Sequence, residues 1–459
     1  MEPLISLTIF GIALIYTEVA KNKKRLQAPI ALVGLLVTLG LTAMSWGHPT
    51  TYFNQLCVVH DFATAFNLAM LGSMVLILGV GCYYYNDVEE HVGEIYGLML
   101  FAIFGGYLIT GYSSLIMLYL GIETLSIPLY VLAGSRKLSY RSNEASFKYF
   151  VMGGFASALL LLGVALVYGA AGSFSLEAIN AYLLTSASIP SILPMGVVLI
   201  LIGFLFKVAA MPFHFWAPDV YDGSPTLVTA FMATVVKMAV FAAFYLLFDR
   251  ALIMMAGLWQ PIIWGAALLT LVGSNVIALN QSSVKRLLAY ASISSSGFLL
   301  LPILAGNGLS ASALLYYLVT YALAAIPAFA VLTAIRKTSN GDDSLDAFNG
   351  LVRRSPLVAF TFAVALLSLA GIPITGGFFG KYFIFLTAIN SGFVWITVAA
   401  VAAALLGIYY FFRVLNRVFL REGDAAPIVV SGSMKLVLVA SAILTIVLGL
   451  APGLIVGLI

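Results

Sequence analysis

Three lysines and one glutamate lie inside segments that are otherwise apolar enough to be buried in lipid. Lys207 follows GFLF, Lys237 lies in TAFMATVVKMAVF, Lys381 follows GGFFG, and Glu123 lies in LYLGIETLSIPLYV. A charged side chain at the centre of a membrane helix costs about 2.5 to 3.5 kcal/mol, so four cost on the order of 10 kcal/mol. Stability does not account for them. Amines and a carboxylate at this depth are candidate proton carriers.

Each of these residues also has a structural interpretation. A lysine close to a helix end can extend its ammonium to the membrane surface. Lys237 fits this least, because it lies about eleven residues inside its segment. Glu123 could serve only as an ion-pair partner, but that role itself requires a basic neighbour inside the membrane. The four residues are therefore interpreted as a set.

The composition is that of an integral membrane protein. Of 459 residues, 62% are apolar and 9% are charged, with a mean hydropathy of +1.07, whereas soluble domains carry about a quarter charged residues. The two cysteines, Cys57 and Cys82, are too few for a disulfide framework, an iron–sulfur cluster or a cysteine zinc site. Both are interpreted as small apolar fillers.

The elements that must position these residues are membrane helices, which need about 20 apolar residues each. The sequence predicts an all-α polytopic protein with about fourteen such spans. The first is not a secretory signal, because its basic cluster follows the apolar run. The predicted spans cover residues 3–20, 28–46, 62–85, 94–110, 113–134, 146–170, 192–216, 226–248, 259–280, 286–305, 310–335, 356–390, 393–416 and 435–457.

The basic residues predict the orientation. Loops after odd-numbered spans hold 18 of the 22 Lys and Arg residues, and loops after even-numbered spans hold one, Arg250; the three remaining are the lysines inside spans. Lys and Arg near helix ends are retained on the cytoplasmic side. Both termini are therefore expected on the outer, periplasmic side.

Two spans contain helix-breaking residues next to a lysine. Residues 356–390 would form about 52 Å of helix, too long for one straight crossing. Irregular backbone at membrane depth is tolerated where it is buried in protein or lines a wet cavity, and paired broken helices are typical of transport sites. The sequence therefore predicts breaks in spans 7 and 12, at Pro212 and at Gly371, Pro373, Gly376 and Gly377.

The histidines of this sequence give little indication of a haem site inside the membrane. Of the four histidines, His48, His60 and His91 fall in predicted loops, and His214 falls near the cytoplasmic end of span 7. A haem would normally need facing axial ligands inside the membrane. His214 is interpreted as an inlet-region or structural residue. The sequence thus favours a proton or cation channel element, driven by an ion gradient or by a partner protein.

Three long stretches carry a family resemblance: KYFVMGGFASALLLLG, FKVAAMPFHFWAPDVYDGSPTLVTAFMATVVKMAVF and LLSLAGIPITGGFFGKYFIF. They resemble the antiporter-like membrane subunits of respiratory complex I, the proton-pumping NADH:quinone oxidoreductase, over roughly residues 95–415. Among these the chain is most similar to subunit N. The largest member has extra spans beyond the fourteenth, and the middle member usually has a glutamate where this chain has Lys381.

The resemblance implies roles for the buried residues. In this family Glu123 would pair with Lys207, Lys237 would continue the proton path towards the middle, and Lys381 would lie on the exit side. It also implies two inverted five-helix repeats. The corresponding segments are 1–93 for flanking spans 1–3, 94–250 and 259–420 for the repeats, and 433–459 for span 14.

One position departs from the family pattern. Relatives often have a histidine in the segment LAYASISSSGF, and the matching residue here is Ser295. A serine hydroxyl can relay a proton through water but does not titrate near neutral pH. Candidate relay residues, besides His214, are Tyr290, Ser292, Ser294 and Ser295. Their alternative interpretation, small polar residues that ease helix packing, is equally compatible with the sequence.

The resemblance also implies partners and location. No cofactor or metal is expected in this chain; flavin, iron–sulfur clusters, NADH and quinone are expected on partner subunits. The partners would be other membrane-arm subunits, in the bacterial cytoplasmic (inner) membrane. A subunit of a multi-subunit cation/proton antiporter is the alternative with the same fold. A stand-alone solute transporter is a more distant alternative, because the sequence has no evident substrate contacts.

Overall fold

Helices account for nearly all of the regular structure in the computed structural model, which describes residues 1–19, 24–85, 91–186, 188–423 and 426–458. This follows from the sequence, because long apolar segments in lipid must satisfy their own backbone hydrogen bonds. Lys21 and Lys23, from the basic cluster after the first predicted span, lie outside the described residues. The all-α polytopic class predicted from the sequence is confirmed.

The first half of the chain contains the helices that surround Lys207 and Lys237. A π-helical turn, Met232–Val236, separates α10 from α11. The helices are α1 Glu2–Val19, α2 Lys24–Met44, α3 Asp61–Tyr84, α4 Val92–Thr110, α5 Leu115–Ala133, α6 Tyr140–Ala171, α7 Leu176–Thr185, α8 Ile192–Lys207, α9 Trp216–Gly223, α10 Thr226–Phe231 and α11 Lys237–Arg250.

The second half contains the helices that surround Lys381. Short 3₁₀ turns, Ile253–Met255 and Leu345–Phe348, precede two of them. The helices are α12 Ala256–Leu279, α13 Val284–Ala305, α14 Ser310–Thr338, α15 Leu351–Arg354, α16 Pro356–Ala370, α17 Gly376–Asn390, α18 Val394–Leu420, α19 Gly432–Leu450 and α20 Gly453–Val456.

Each apolar segment predicted from the sequence is helical, but the two breaks change how many helices can cross. Within the described ranges, 12 helices are long and apolar enough to span a membrane. Two shorter apolar helices, Ile192–Lys207 and Pro356–Ala370, are the first halves of predicted spans 7 and 12. The structure also contains α7, a ten-residue helix that the apolar pattern did not predict.

A two-stranded hairpin between α2 and α3 was also not predicted. Its strands are Thr50–Tyr52 and Cys57–Val59, paired antiparallel with Thr51 opposite Val58. The hairpin is attached to the start of the α5 segment, because Val58 N–H donates to the Gly111 carbonyl and Ser113 N–H donates to the Leu56 carbonyl. Three-residue strands are too short to show a period-2 pattern in a sequence.

The helices that carry the central polar residues form the interior of the bundle. The spans Thr226–Arg250 and Val284–Ala305 are wholly buried, and Ser310–Thr338 is almost so. By contrast, only about a third of the apolar window of Glu2–Val19 is buried. Lys237 and the serines of α13 therefore lie in the best protected layer, with lipid-facing helices outside it.

The structure breaks both predicted spans at membrane depth. In span 7 the helix ends at Lys207, and the linker contains Ala209 at φ +55° and a cis bond before Pro212. In span 12 the break is at residues 371–375, with Gly371 at φ +83° and Ile374 at φ +77°. The sequence predicted the break of span 7 at Pro212, and in the structure α8 already ends at Lys207, five residues before that proline.

Pro373 lies in the break, but two glycines assigned to it do not. Gly376 and Gly377 are the first residues of α17. They permit close packing: a Cβ on Gly377 would lie 1.9 Å from the Ser368 carbonyl oxygen, and one on Gly376 would lie 2.7 Å from Thr320 Cγ2. These two residues therefore bring the halves of span 12 together.

Candidate functional site

The side chain of Lys207 contacts α5 through two uncharged hydroxyl groups. Its Nζ lies 2.8 Å from Ser126 Oγ and 3.5 Å from Tyr130 Oη. Ser126 and Tyr130 are three and seven residues beyond Glu123, so all three share one face of α5. The Ser126 hydroxyl donates to the Ile122 carbonyl at 2.6 Å and can accept from the lysine. The ammonium thus binds one turn away from the predicted acidic partner.

Glu123 is not in direct contact with Lys207. Its Oε1 is buried and has no hydrogen-bond partner among the described residues. The two groups form no ion pair, since no oxygen of Glu123 lies within 4.0 Å of the Lys207 Nζ. The predicted direct pair is therefore not formed in this structure, because Ser126 holds the ammonium instead. Glu123 and Ser126 lie on the same face of α5, one helical turn apart.

Lys237 has three neutral oxygen partners on α13. It is 6% exposed, and its Nζ lies 2.5 Å from the Ser292 carbonyl, 2.8 Å from Ser292 Oγ and 2.9 Å from Ser295 Oγ. The Tyr321 ring centroid is 5.1 Å away, which allows a cation–π contact. No carboxylate pairs with this lysine within the described part of the chain. Its amine is therefore surrounded by uncharged oxygen dipoles, with no opposite charge paired to it among the described residues.

The backbone immediately before Lys237 is irregular. The π-helical turn Met232–Val236 ends at the residue preceding the lysine. Such turns are rare and are frequently found at functional sites. Because a π-turn changes the rotation of the residues that follow it, it sets the face on which Lys237 lies. That face is the one directed at α13.

Lys381 binds the carboxyl end of the other half of its own broken span. It is 7% exposed, and its Nζ lies 2.8 Å from the Ala370 carbonyl and 3.1 Å from the Leu369 carbonyl. The carboxyl end of α16 carries partial negative charge and unsatisfied carbonyls, which favour a cation. A Cβ on Gly371 would lie 2.9 Å from Lys381 Cδ. Glycine is therefore needed there for both its conformation and the lysine.

One cavity connects the surroundings of Lys237 and Lys381. It leaves about 20 Å³ for the centres of water molecules, which is enough for at least one water. Ser295, a direct partner of Lys237, and Tyr321, whose ring faces Lys237, both line it, as does Lys381. A proton leaving Lys237 would therefore meet a hydroxyl-lined space that ends at the next lysine.

The other candidate relay residues are placed differently. Ser294 lines the cavity and accepts a hydrogen bond from Asn275 Nδ2 at 2.7 Å, while Asn275 Oδ1 accepts from Tyr410 at 3.2 Å. Tyr290 is buried but makes no side-chain hydrogen bond to a described residue and does not line the cavity. His214 is buried in the break of span 7, and its Nδ1 has no described partner.

The chain is similar to known proteins over almost its whole length. A family model described as NADH:quinone oxidoreductase/Mrp antiporter, transmembrane, matches residues 113–407. NADH-quinone oxidoreductase subunit N of Flavobacterium psychrophilum is 36% identical over 453 residues, which is 99% of each chain. The chain belongs to the NADH-quinone oxidoreductase subunit N family. A chain of respiratory complex I from Thermus thermophilus matches with a TM-score of 0.86 and 34% identity over 99% of this chain and 98% of that one.

The fold extends beyond the subunit N family. A chain of the Mrp complex from a Dietzia species has a TM-score of 0.86 at 20% identity and covers 100% of this chain and 96% of its own. At that identity the likeness shows a shared fold alone. The overall fold is therefore wider than one family.

Sequence reasoning on this subunit N family member missed four polar groups. Ser126, Asn275 and Tyr321 contact the lysines or line the cavity, and Lys285 is buried at the start of α13. Ser126 could have been found, because it is one helical turn from Glu123. Asn275 is a polar residue in the middle of a predicted span, which was also a usable signal. Nothing in the pattern distinguishes Tyr321 from other tyrosines, and Lys285 falls one residue before the predicted start of its span.

Proposed function

We propose that this chain carries protons across the bacterial cytoplasmic membrane as the subunit N of an NADH:quinone oxidoreductase. The observation that carries the proposal is the cavity shared by Ser295 and Lys381, which links two buried lysines through hydroxyl groups. The full-length relative that bears this name supports the same conclusion. The chain itself performs no redox chemistry.

Lys207 and Glu123 act as a switch in this proposal. Burial disfavours a charged ammonium and a nearby carboxylate favours it, so a movement of either group changes the preferred protonation state. In the present arrangement Ser126 binds the ammonium and the Glu123 Oε1 is unpaired. Closing the pair would hold a proton on Lys207, and opening it would release that proton towards Lys237.

Lys237 and Lys381 form the second part of the path. A proton released from Lys237 passes to Ser295 and water in the cavity, and from there to Lys381. Hydroxyl groups and water can donate and accept at once, so they carry a proton without holding a charge. Lys381 then delivers the proton to the outer side. Energy for the cycle comes from redox chemistry in the partner subunits.

The proposed topology has fourteen crossings, both termini outside and two inverted five-helix repeats. The repeats are residues 94–250 and 259–420, flanked by 1–93 and 433–459. Two isolated backbone bridges support them: Ser114 pairs with Ser175 and Ser283 with Ser344. Each serine of the second bridge lies 169 residues beyond its counterpart, by 283 − 114 and 344 − 175. A shared displacement is expected if the two segments repeat one fold.

The proposed partners are the other membrane-arm subunits of the complex, with the lipid bilayer around them. NADH, flavin, iron–sulfur clusters and quinone belong to those partner subunits in this proposal. The antiporter alternative is favoured by one observation, the fold shared with the Mrp complex at a TM-score of 0.86. In that alternative the partners would be antiporter subunits and no NADH would be needed.

Gentle solubilisation of the native membrane with an affinity-tagged chain tests the proposal. We expect flavin and iron–sulfur subunits to co-purify, with NADH:quinone oxidoreductase activity in the same fraction. Recovery of antiporter subunits without redox subunits would instead establish the alternative. A tagged, unrelated membrane protein from the same cells controls for nonspecific recovery.

A further inference from the structure

Lys285 is a buried lysine that the proposed proton path does not use. It is 1% exposed and lies in the first turn of α13, two residues after Ser283, whose side chain accepts from the Arg286 N–H. Its Nζ lies 2.5 Å from the Asp222 carbonyl and 2.6 Å from the Ser224 carbonyl. Both carbonyls belong to the carboxyl end of α9, the helix that follows the break in span 7.

The position of Lys285 is unfavourable for its own helix. A cation in the first turn is opposed by the positive end of the helix dipole. The same cation is favoured at the carboxyl end of α9, where the last carbonyls have no partners within the helix. No carboxylate lies within 4.0 Å of its Nζ among the described residues, since its partners are two backbone oxygens. The ammonium of Lys285 therefore stabilises the carboxyl end of α9 and is unfavourable for its own helix, α13.

Lys285 and the partners of Lys237 share one helix and one face. Ser292 is seven residues beyond Lys285, which is two helical turns or about 10.5 Å along the axis and nearly the same rotation. Ser292 provides two of the three oxygens that bind Lys237. Because α13 is a continuous, buried helix between these points, a displacement at Lys285 is transmitted to Ser292.

We propose that Lys285 is a positioning residue that latches broken span 7 to α13 and so sets the alignment of Ser292 with Lys237. The inference rests on the proposed function, because it concerns the coupling between the Lys207 and Lys237 parts of the path. When α9 moves with its broken span, the latch moves α13 and changes the hydrogen bonds of Lys237. The latch is mechanical: the two hydrogen bonds to the α9 carbonyls carry the coupling, and Lys285 is not a step of the proton path.

The test uses the assembled complex in inverted membrane vesicles and measures protons pumped per NADH oxidised. Lys285→Met is expected to assemble with its partners but to lower this ratio about tenfold. Lys285→Arg is expected to retain most pumping, because a guanidinium can donate to the same two carbonyls without releasing a proton. Lys435→Met, which changes an exposed cytoplasmic lysine, is the matched control and should pump normally.

A double-variant cycle separates a latch from a general structural defect. Ser292→Ala alone lowers pumping, and adding Lys285→Met to it should cause little further loss, because both changes act on the same contact. If the two defects were independent, the factors by which they lower pumping would multiply. Multiplying losses, normal pumping by Lys285→Met, or loss of pumping in an assembled Lys285→Arg variant would each overturn the latch. Failure of the proposed function would appear differently, as absence of NADH-driven pumping with the unaltered chain.

Discussion

The ammonium of Lys381 lies 2.8 Å from the carbonyl oxygen of Ala370, the last residue of α16. The break in span 12 leaves this carbonyl and its neighbour without partners inside their helix. Lys381 satisfies them from the other side of the break. The residue proposed to carry a proton therefore also closes a helix end, and these two tasks can be separated by mutation.

Lys381→Met and Lys381→Arg should separate them. Methionine removes both the proton and the carbonyl contacts, so we expect a lower melting temperature and pumping reduced about tenfold or more, equivalent to ~1.4 kcal/mol. Arginine retains donors for the Leu369 and Ala370 carbonyls but does not release a proton. It should restore the melting temperature without restoring pumping. A pumping arginine variant would exclude proton release from this residue.

Lys237→Ala should suppress NADH-driven proton pumping about tenfold or more. The reason is that Ser292 and Ser295 cannot carry a titratable charge, so no other group of this cluster replaces the amine. If redox chemistry and pumping are tightly coupled, NADH-driven quinone reduction falls with it. Lys435→Ala, at an exposed position, provides the control. Full pumping by the Lys237 variant would refute its assigned role.

Gly377→Ala should destabilise the protein because the two halves of span 12 are in contact there. The added Cβ would lie 1.9 Å from the Ser368 carbonyl oxygen, so backbone must move, at a cost of about 3 kcal/mol. Gly265→Ala is the matched control, since nothing lies within 4 Å of the added Cβ. Thermal unfolding in detergent compares them. Equal melting temperatures would contradict the packing of α17 against α16.

The two cysteines should differ in alkylation. Cys57 is 1% exposed, and burial raises the pKa of its thiol to about 12. Because only the thiolate reacts, maleimide at pH 8 should leave Cys57 unmodified in the folded protein, with reaction appearing only after denaturation. Cys82 is exposed and should react first. Mass spectrometry of a Cys82→Ser variant isolates the Cys57 signal; rapid labelling at pH 8 would place Cys57 outside the core.

The sequence predicted the membrane class and the helical segments because both depend on local composition. Runs of about 20 apolar residues are visible without any knowledge of packing. The buried lysines were visible for the same reason, since a charge contrasts with its apolar neighbours. The hairpin of residues 50–59 and the start of α17 at Gly376 depend on contacts with distant segments. No local pattern specifies those contacts.

Partners of the lysines were harder to predict than the lysines. The family resemblance implied Glu123 for Lys207, but Ser126 one turn away holds the ammonium. A choice between two groups on one helix face depends on a few ångströms of side-chain position, which spacing alone does not fix. Lys285 was assigned to a loop for a similar reason, because its depth depends on how α9 packs on α13.

The neutral surroundings of Lys237 have an electrical consequence. The lysine lies near the middle of the 25-residue span Thr226–Arg250, and no carboxylate among the described residues pairs with it. A unit charge crossing the whole membrane potential changes energy by about 2.3 kcal/mol per 100 mV. In the proposed function, loading a proton onto Lys237 from the cytoplasmic side would therefore work against roughly half of the membrane voltage. A large membrane voltage would then slow proton loading at this site.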